Sequence, residues 1–184
     1  KELNRRLRAD KFYVNWFRKH YGQMPDAYLA ARAIAAFERT LETGNAPLDR
    51  FMEGDSSAIS ISAMRGRDIF IEKAKCFECH FTPDFTADEF KNIGLFNGKH
   101  LNDSGRYVVT NNKSDIGKFR VPGLRNVAVT APYMHNGMFK TLEEVIDYYN
   151  DPAAIVPDAI NRDTLLNGKL GLTQQEKANL LAFL

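Results

Sequence analysis

The sequence predicts an all-α fold with long loops, and three observations carry the prediction. Apolar residues recur at helical spacing, as in Leu142, Val145, Ile146 and Tyr149 at i, i+3, i+4 and i+7. Two stretches open with a capping box, Thr141-Leu142-Glu143-Glu144 and Thr173-Gln174-Gln175-Glu176, in which Thr and Glu side chains satisfy main-chain N–H groups reciprocally. The third observation is the pentapeptide Cys76-Phe77-Glu78-Cys79-His80, which holds both cysteines of the chain.

C-x-x-C-H is the attachment signature for c-type haem. Two thiols three residues apart lie about one helical turn apart and can reach one porphyrin edge as thioethers. The adjacent His80 can turn its imidazole under the ring to ligate iron, with its other ring nitrogen donating to a main-chain carbonyl. The competing readings are a Cys76–Cys79 disulfide, half of a zinc site and a thioredoxin-like redox pair. Zinc needs two more ligands, and His20, His100 and His135 supply no second close pair. A redox pair should follow a strand in a βαβ pattern, and none is legible. Covalent haem is therefore the expectation.

Composition narrows the partners. The 184 residues are 44% hydrophobic and 26% charged, the balance of an ordinary globular protein with room for one domain plus an extension. No run of 18 apolar residues occurs, so no membrane span is expected. The formal charge of +2 leaves no basic patch to account for and argues against nucleic acid. The chain starts at Lys1 in one helical stretch and stops at Leu184 in another, which reads as a piece of a longer protein. Thioether-bound haem points to the periplasm or another extracytoplasmic space.

Taken in order, residues 1–20 read as helix broken at Asp10, a plausible N-cap, with Leu3 and Leu7 before it and Phe12, Trp16 and Phe17 after it. A second helix, capped by Asp26, should run to about Leu41 and turn Leu29, Ala33, Ile34, Phe37 and Leu41 into a core. His20 is expected at the surface. Gly44 to Pro47 and Phe51 to Ser57 read as loop. A third helix from Ser60 or Ser62 should lead into the haem motif, and Gly66 within it, about 1 kcal/mol less favourable than Ala, suits close approach of another helix. The segment Thr173–Leu184, with Leu180, Leu181 and Leu184, is the natural partner. Such a crossing beside a porphyrin is the cytochrome c arrangement, so the fold expected is a cytochrome c-like haem domain with an N-terminal helical extension. Phe81 to Lys140 should be mostly loop wrapped around the cofactor, with Tyr107-Val108-Val109-Thr110 a short strand and His100 solvated. The helix from Thr141 should face inward through Leu142, Val145, Ile146 and Tyr149 but not Tyr148, and Asn150-Asp151-Pro152 should end it.

Three stretches resemble the bacterial dihaem cytochrome c peroxidase/MauG family: Ala35-Ala36-Phe37-Glu38-Arg39-Thr40-Leu41, Arg65-Gly66-Arg67-Asp68-Ile69-Phe70 ahead of the haem motif, and Gly117 to Gly137 with its Val121-Pro122-Gly123-Leu124-Arg125-Asn126 core. The resemblance covers nearly the whole chain and corresponds to the C-terminal haem domain with the helices that precede it. It implies that residues 1–57 are a helical extension leading to an N-terminal haem domain of the same protein, and that residues 58–184 are the C-terminal haem domain. In the family, peroxide is activated at the N-terminal haem while the C-terminal one passes electrons. The resemblance also implies a calcium ion touched by the main-chain carbonyls of Thr130 and Pro132. Arg120 and Arg125 are candidates for the haem propionates, since Arg binds carboxylates bidentately.

For the iron's second axial ligand the candidates are Met134, His135, Met138 and Tyr149. Met is common in electron-carrying cytochromes. Tyr149 is the sole hydroxyl on the inward stripe of its helix and needs a buried partner. The resemblance places the distal ligand 17 residues after the Pro matching Pro132, as Met in peroxidases and Tyr in MauG-like members, which is Tyr149 here. MauG-like members carry a Trp two residues before the first haem Cys, where this chain has Ala74. The expected function is the electron-transfer haem domain of a periplasmic dihaem peroxidase that reduces hydrogen peroxide with electrons from a small redox protein. The alternatives are a MauG-like oxidase of a partner protein and a mono-haem carrier, and a homodimer is left open.

Overall fold

A computed structural model describes all 184 residues, which divide into two compact units, Lys1–Ala46 and Pro47–Leu184. In the first unit, α1 (Glu2–Ala9) and α2 (Lys11–Tyr21) meet at Asp10, whose carboxylate accepts from Phe12 N at 2.8 Å. Gly22, at φ +68°, closes α2, and Asp26 caps α3 (Ala27–Glu38) by accepting from Leu29 N. Asn4 and Arg8 fasten α1 to the turn before α3, through Ala27 N and Pro25 O. Phe17 and Leu29 are buried in this unit. Ile34, Phe37 and Leu41, read from the sequence as core, are instead about 60% exposed, because nothing within the three-helix unit covers the outer face of α3. Trp16, also read as core, is exposed, its ring tilted against that of the exposed His20 at 4.5 Å between centroids.

The second unit opens with α4 (Pro47–Met52), a stretch expected to be loop. Pro47 supplies a preset φ for a first helical turn, Leu48 packs on the core, and Asp49 holds Arg125. Next comes α5 (Ile61–Ile71), capped by Ser60 through Ala63 N at 3.1 Å. It crosses the last helix, α9 (Gln174–Phe183), at Gly66. A Cβ on Gly66 would fall 2.0 Å from Asn179 O, so the two backbones touch there as anticipated. Ser62 Oγ donates to Asn179 Oδ1 at 2.8 Å, and Lys73 pairs with Glu176 at 2.8 Å.

Between Phe81 and Lys140 regular structure is sparse. Two short antiparallel strands, β1 (Phe90–Lys91) and β2 (Phe119–Arg120), pair Phe90 with Arg120. The expected strand at 107–110 is instead a single helical turn, α6 (Tyr107–Thr110). Its main-chain bonds run from Thr110 N to Arg106 O and from Asn111 N to Tyr107 O, and Val108 and Val109 stand in solvent with no neighbouring strand to reward their β preference.

Two apolar clusters share one wall. The first gathers Phe70, Ala74, Phe85, Ile146, Leu172 and Leu180 around the α5–α9 crossing. The second gathers Leu95, Phe139, Tyr148 and Val156 beneath the loops. The wall is α7 (Leu142–Asn150), followed at once by α8 (Pro152–Ile155), and both capping boxes at Thr141 and Thr173 form. Since Ile146 enters one cluster and Tyr148 the other, α7 is buried on more than one side. Tyr148, expected off the inward face, is fully buried, and its hydroxyl donates to Ile93 O at 2.5 Å.

The candidate haem site

After α5 the chain reverses through Lys75, a non-glycine residue at φ +55°, and enters a 3-10 turn at Cys76–Glu78. Both cysteines are free thiols. Main-chain bonds from Cys79 N and His80 N to Cys76 O wind the motif into a single turn, so the three functional side chains leave it close together. Burial pushes the Cys76 thiol up to about 12, and burial likewise raises Cys79, against the pull of Lys91. The thiols are therefore held neutral, Cys76 against the first apolar cluster and Cys79 half-buried among Lys91, Asp163, Glu89 and Glu78.

His80 is oriented as a metal-binding imidazole should be. Nδ1 donates to Phe85 O at 2.8 Å, which fixes the neutral tautomer and leaves the lone pair on Nε2. Burial lowers its pKa, opposed by the carbonyls of Phe85 and Pro122, so the neutral, ligating form is favoured. Phe85 itself sits at φ +54°, rare for a bulky residue, and its ring packs on Phe70 at 6.2 Å between centroids. The core thus fixes an unusual backbone whose carbonyl meets the imidazole.

Tyr149 completes the set. It packs with the second cluster, its ring edge-on to Tyr148 at 5.5 Å. Its hydroxyl makes no hydrogen bond within the chain. Burial pushes its pKa far up, and the groups that raise it further are Tyr148 and both thiols, Cys76 and Cys79, which puts the phenol within electrostatic reach of the haem motif. Of the other ligand candidates, only Met134 shares the cluster of Tyr149. His135 stacks on Phe119 at 3.6 Å, Met138 is partly exposed, and Met134, at φ +69°, packs in the second cluster.

Of the remaining predicted residues, Arg125 reaches the loop that holds His80, its guanidinium 6.0 Å from the Phe85 ring centroid. Arg120 lies on β2 at the surface, paired with Asp88. Arg125 forks onto Asp49 at 2.9 and 3.0 Å and donates to Pro83 O, so both guanidinium groups already hold protein partners. Thr130 and Pro132 lie in an exposed turn where Thr130 Oγ1 donates to Val127 O. No group of three or more His, Cys, Asp or Glu gathers anywhere in the chain, so a calcium site here would rest on main-chain carbonyls alone. Several residues that shape the site carried no recognised signal in the sequence. They are Phe85, visible only as a positive φ, and Asn92, Tyr148 and Arg162. An Asn-x-Gly turn at Asn92-Ile93-Gly94 was the one available hint.

Two free thiols one turn apart, a carbonyl-locked imidazole after them and a phenol nearby, framed by crossing terminal helices, fit a covalent haem and define a c-type cytochrome domain. A family model described as di-haem cytochrome c peroxidase matches residues 1–57. The chain is 35% identical to the cytochrome-c peroxidase IdrP1 of Pseudomonas sp. (strain SCT), covering 99% of this chain and 55% of that protein. It is 40% identical to the methylamine utilization protein MauG of Methylorubrum extorquens over 78% of this chain and 41% of that one. Among solved structures, a MauG-like protein associated with microbial copper homeostasis superposes with a TM-score of 0.77 at 33% identity, covering 99% of this chain and 60% of the other. The chain belongs to the bacterial dihaem cytochrome c peroxidase/MauG family. It spans about half the length of the curated relatives it matches. No helix is long and apolar enough to cross a membrane.

Proposed function

We propose that this chain is the electron-transfer haem half of a periplasmic dihaem peroxidase, in which a second haem domain meets hydrogen peroxide and a small redox protein supplies electrons. Cys76 and Cys79 would hold the haem as thioethers, and His80 and Tyr149 would ligate its iron. The haem, once bound, supplies one-electron transfer. The protein fixes the imidazole tautomer through Phe85 O, shields the site with the two apolar clusters and presents Tyr149 from α7.

One observation carries the reading: Tyr149, packed in the second cluster and electrostatically coupled to both thiols, has no hydrogen-bond partner for its hydroxyl, whereas its neighbour Tyr148 is already satisfied. With His80 and Tyr149 both committed to the iron, peroxide would find no open position there, which is why this half is read as the conduit rather than the peroxide site. A phenolate is a hard anionic ligand and favours ferric iron. A second reading, a MauG-like oxidase of a partner protein, is favoured by the same Tyr149, since the resemblance assigns Tyr to MauG-like members. Ala74, where those members carry Trp, speaks against it. Calcium has no part in either reading.

Two measurements test the proposal. Haem should survive acidified acetone and appear in the intact mass of the denatured chain, and complete extraction would end the covalent assignment. Tyr149→Phe should change the ferric absorption and electron paramagnetic resonance spectra. Unchanged spectra would remove Tyr149 as ligand and make Met134 the next residue to substitute.

A further inference from the structure

Arg162 follows Asn161, a non-glycine residue at φ +57°, and folds its side chain back under α7. Its partners there are main-chain carbonyls at the two ends of α8: Nη2 donates to Pro152 O at 3.3 Å and to Val156 O. The guanidinium also lies against the Tyr148 hydroxyl, where its charge opposes the upward push of burial on that phenol. Nε is buried with no acceptor. A buried, incompletely satisfied donor on a charged side chain is costly, and a Met of similar length would fill the space without that cost.

What an apolar residue could not do is visible at Gly94. A Cβ on this residue, which sits at φ +94°, would fall 2.3 Å from Arg162 Nε and 3.0 Å from the Tyr148 hydroxyl. Both polar groups therefore rest on bare backbone, one residue from the Ile93 carbonyl that Tyr148 holds. That loop is itself pinned: Asn92 is buried, donates to Ile116 O and Ile160 O at 2.9 and 3.0 Å, and accepts from Gly94 N at 2.8 Å. Arg162 thus joins α8, α7 and a rigid loop at a single point.

We infer that Arg162 and Tyr148 are positioning residues for Tyr149, locking the rotation of α7 against the Asn92–Gly94 loop so that the Tyr149 hydroxyl is held on the haem side. The inference rests on the reading of Tyr149 as the distal ligand. Neighbouring residues on a helix point about 100° apart, so anchoring Tyr148 sets the direction of Tyr149. A tyrosine hydroxyl stands roughly 9 Å from the helix axis, and a rotation of about 10° would carry it about 1.5 Å. Metal–ligand distances tolerate only about 0.2 Å. A nine-residue helix capped at one end needs an internal anchor to meet that tolerance.

The test uses the haem-loaded protein with Arg162→Met, Tyr148→Phe and Tyr149→Phe, read by electron paramagnetic resonance of the ferric state, with far-ultraviolet circular dichroism as the control for folding. Arg162→Met and Tyr148→Phe should keep the parent dichroism yet lose part of the parent ferric signal to a second set matching that of Tyr149→Phe. If both give the parent spectrum while Tyr149→Phe differs, the clamp is wrong and the ligand assignment stands. If Tyr149→Phe also gives the parent spectrum, both fall. Should Arg162→Met fail to fold, Tyr148→Phe, which removes one hydroxyl from an otherwise unchanged ring, decides the matter by the same comparison.

Discussion

Replacing Gly66 by Ala tests whether the α5–α9 crossing is what seats the haem motif. The added Cβ would lie 2.0 Å from Asn179 O, 2.7 Å from Asn179 C and 2.8 Å from Phe183 Cβ. Ordinary contact begins near 3.4 Å, so the helices must part by about 1.4 Å, and the obstacle is backbone that cannot rotate aside. Ala gains about 1 kcal/mol of helix propensity over Gly. Against this, overpacking costs about 1–3 kcal/mol, and the upper end applies where backbone is struck. Parting the helices also loosens Leu180 and the edge-on contact of Phe70 with Phe183 at 5.4 Å. A net loss of about 2 kcal/mol, a fall of roughly 4–8 °C in Tm, is expected for a chain of this size. The assay is thermal unfolding of the haem-loaded protein followed by circular dichroism. Gly168→Ala serves as control, because nothing lies within 4 Å of a Cβ there. If Gly66→Ala melts with the parent, the close crossing does not hold this domain together.

Three further outcomes are expected. Lys73 holds the Glu176 carboxyl down from an ordinary 4.5 to about 2, so the pair's contribution is full above pH 4.5 and drains away as pH falls towards 2. Lys73→Met should flatten the dependence of Tm on pH in that window, and an unchanged acid profile would show that the pair contributes nothing. Asn92→Ala strands two carbonyls and one N–H. At about 1 kcal/mol or more each, it should destabilise by about 3 kcal/mol in denaturant titration. A loss below that of an ordinary surface substitution would mean the loops do not depend on Asn92. Peroxide turnover by this chain alone, with a reduced donor, should fall far below that of a form carrying both haem domains, and equal rates would overturn the division of labour.

The helical architecture was legible because its signals are local. Capping boxes at Thr141 and Thr173, the caps Asp10 and Asp26, and Gly66 each act within one turn or at one contact. The C-x-x-C-H motif was legible for the same reason, since its chemistry needs five consecutive residues. What escaped was decided at a distance. Tyr148 and Tyr149 differ by one position in an apolar stripe, and only the presence of a second cluster beneath the loops shows that Tyr148 is the more deeply buried. Tyr107–Thr110 has strand-forming residues, but a strand needs a partner that the sequence does not reveal. Ile34, Phe37 and Leu41 form an apolar stripe at helical spacing, and periodicity alone does not say what covers it. Phe85 carries no local mark of a positive φ, because the surrounding packing imposes it.

The bonds that fasten the second cluster have an uneven distribution of roles. The donors are three side chains, Asn92, Tyr148 and Arg162, while the acceptors at Ile93, Ile116, Pro152, Val156 and Ile160 are main-chain carbonyls. A carbonyl belongs to every amino acid, so the accepting positions can change their side chains without losing the bond. Mutational drift should then collect at the acceptors and stall at the donors. A library randomised over the loops and screened variant by variant for the parent ferric spectrum would recover varied residues at 93, 116 and 160, and almost nothing but the native residue at 92, 148 and 162.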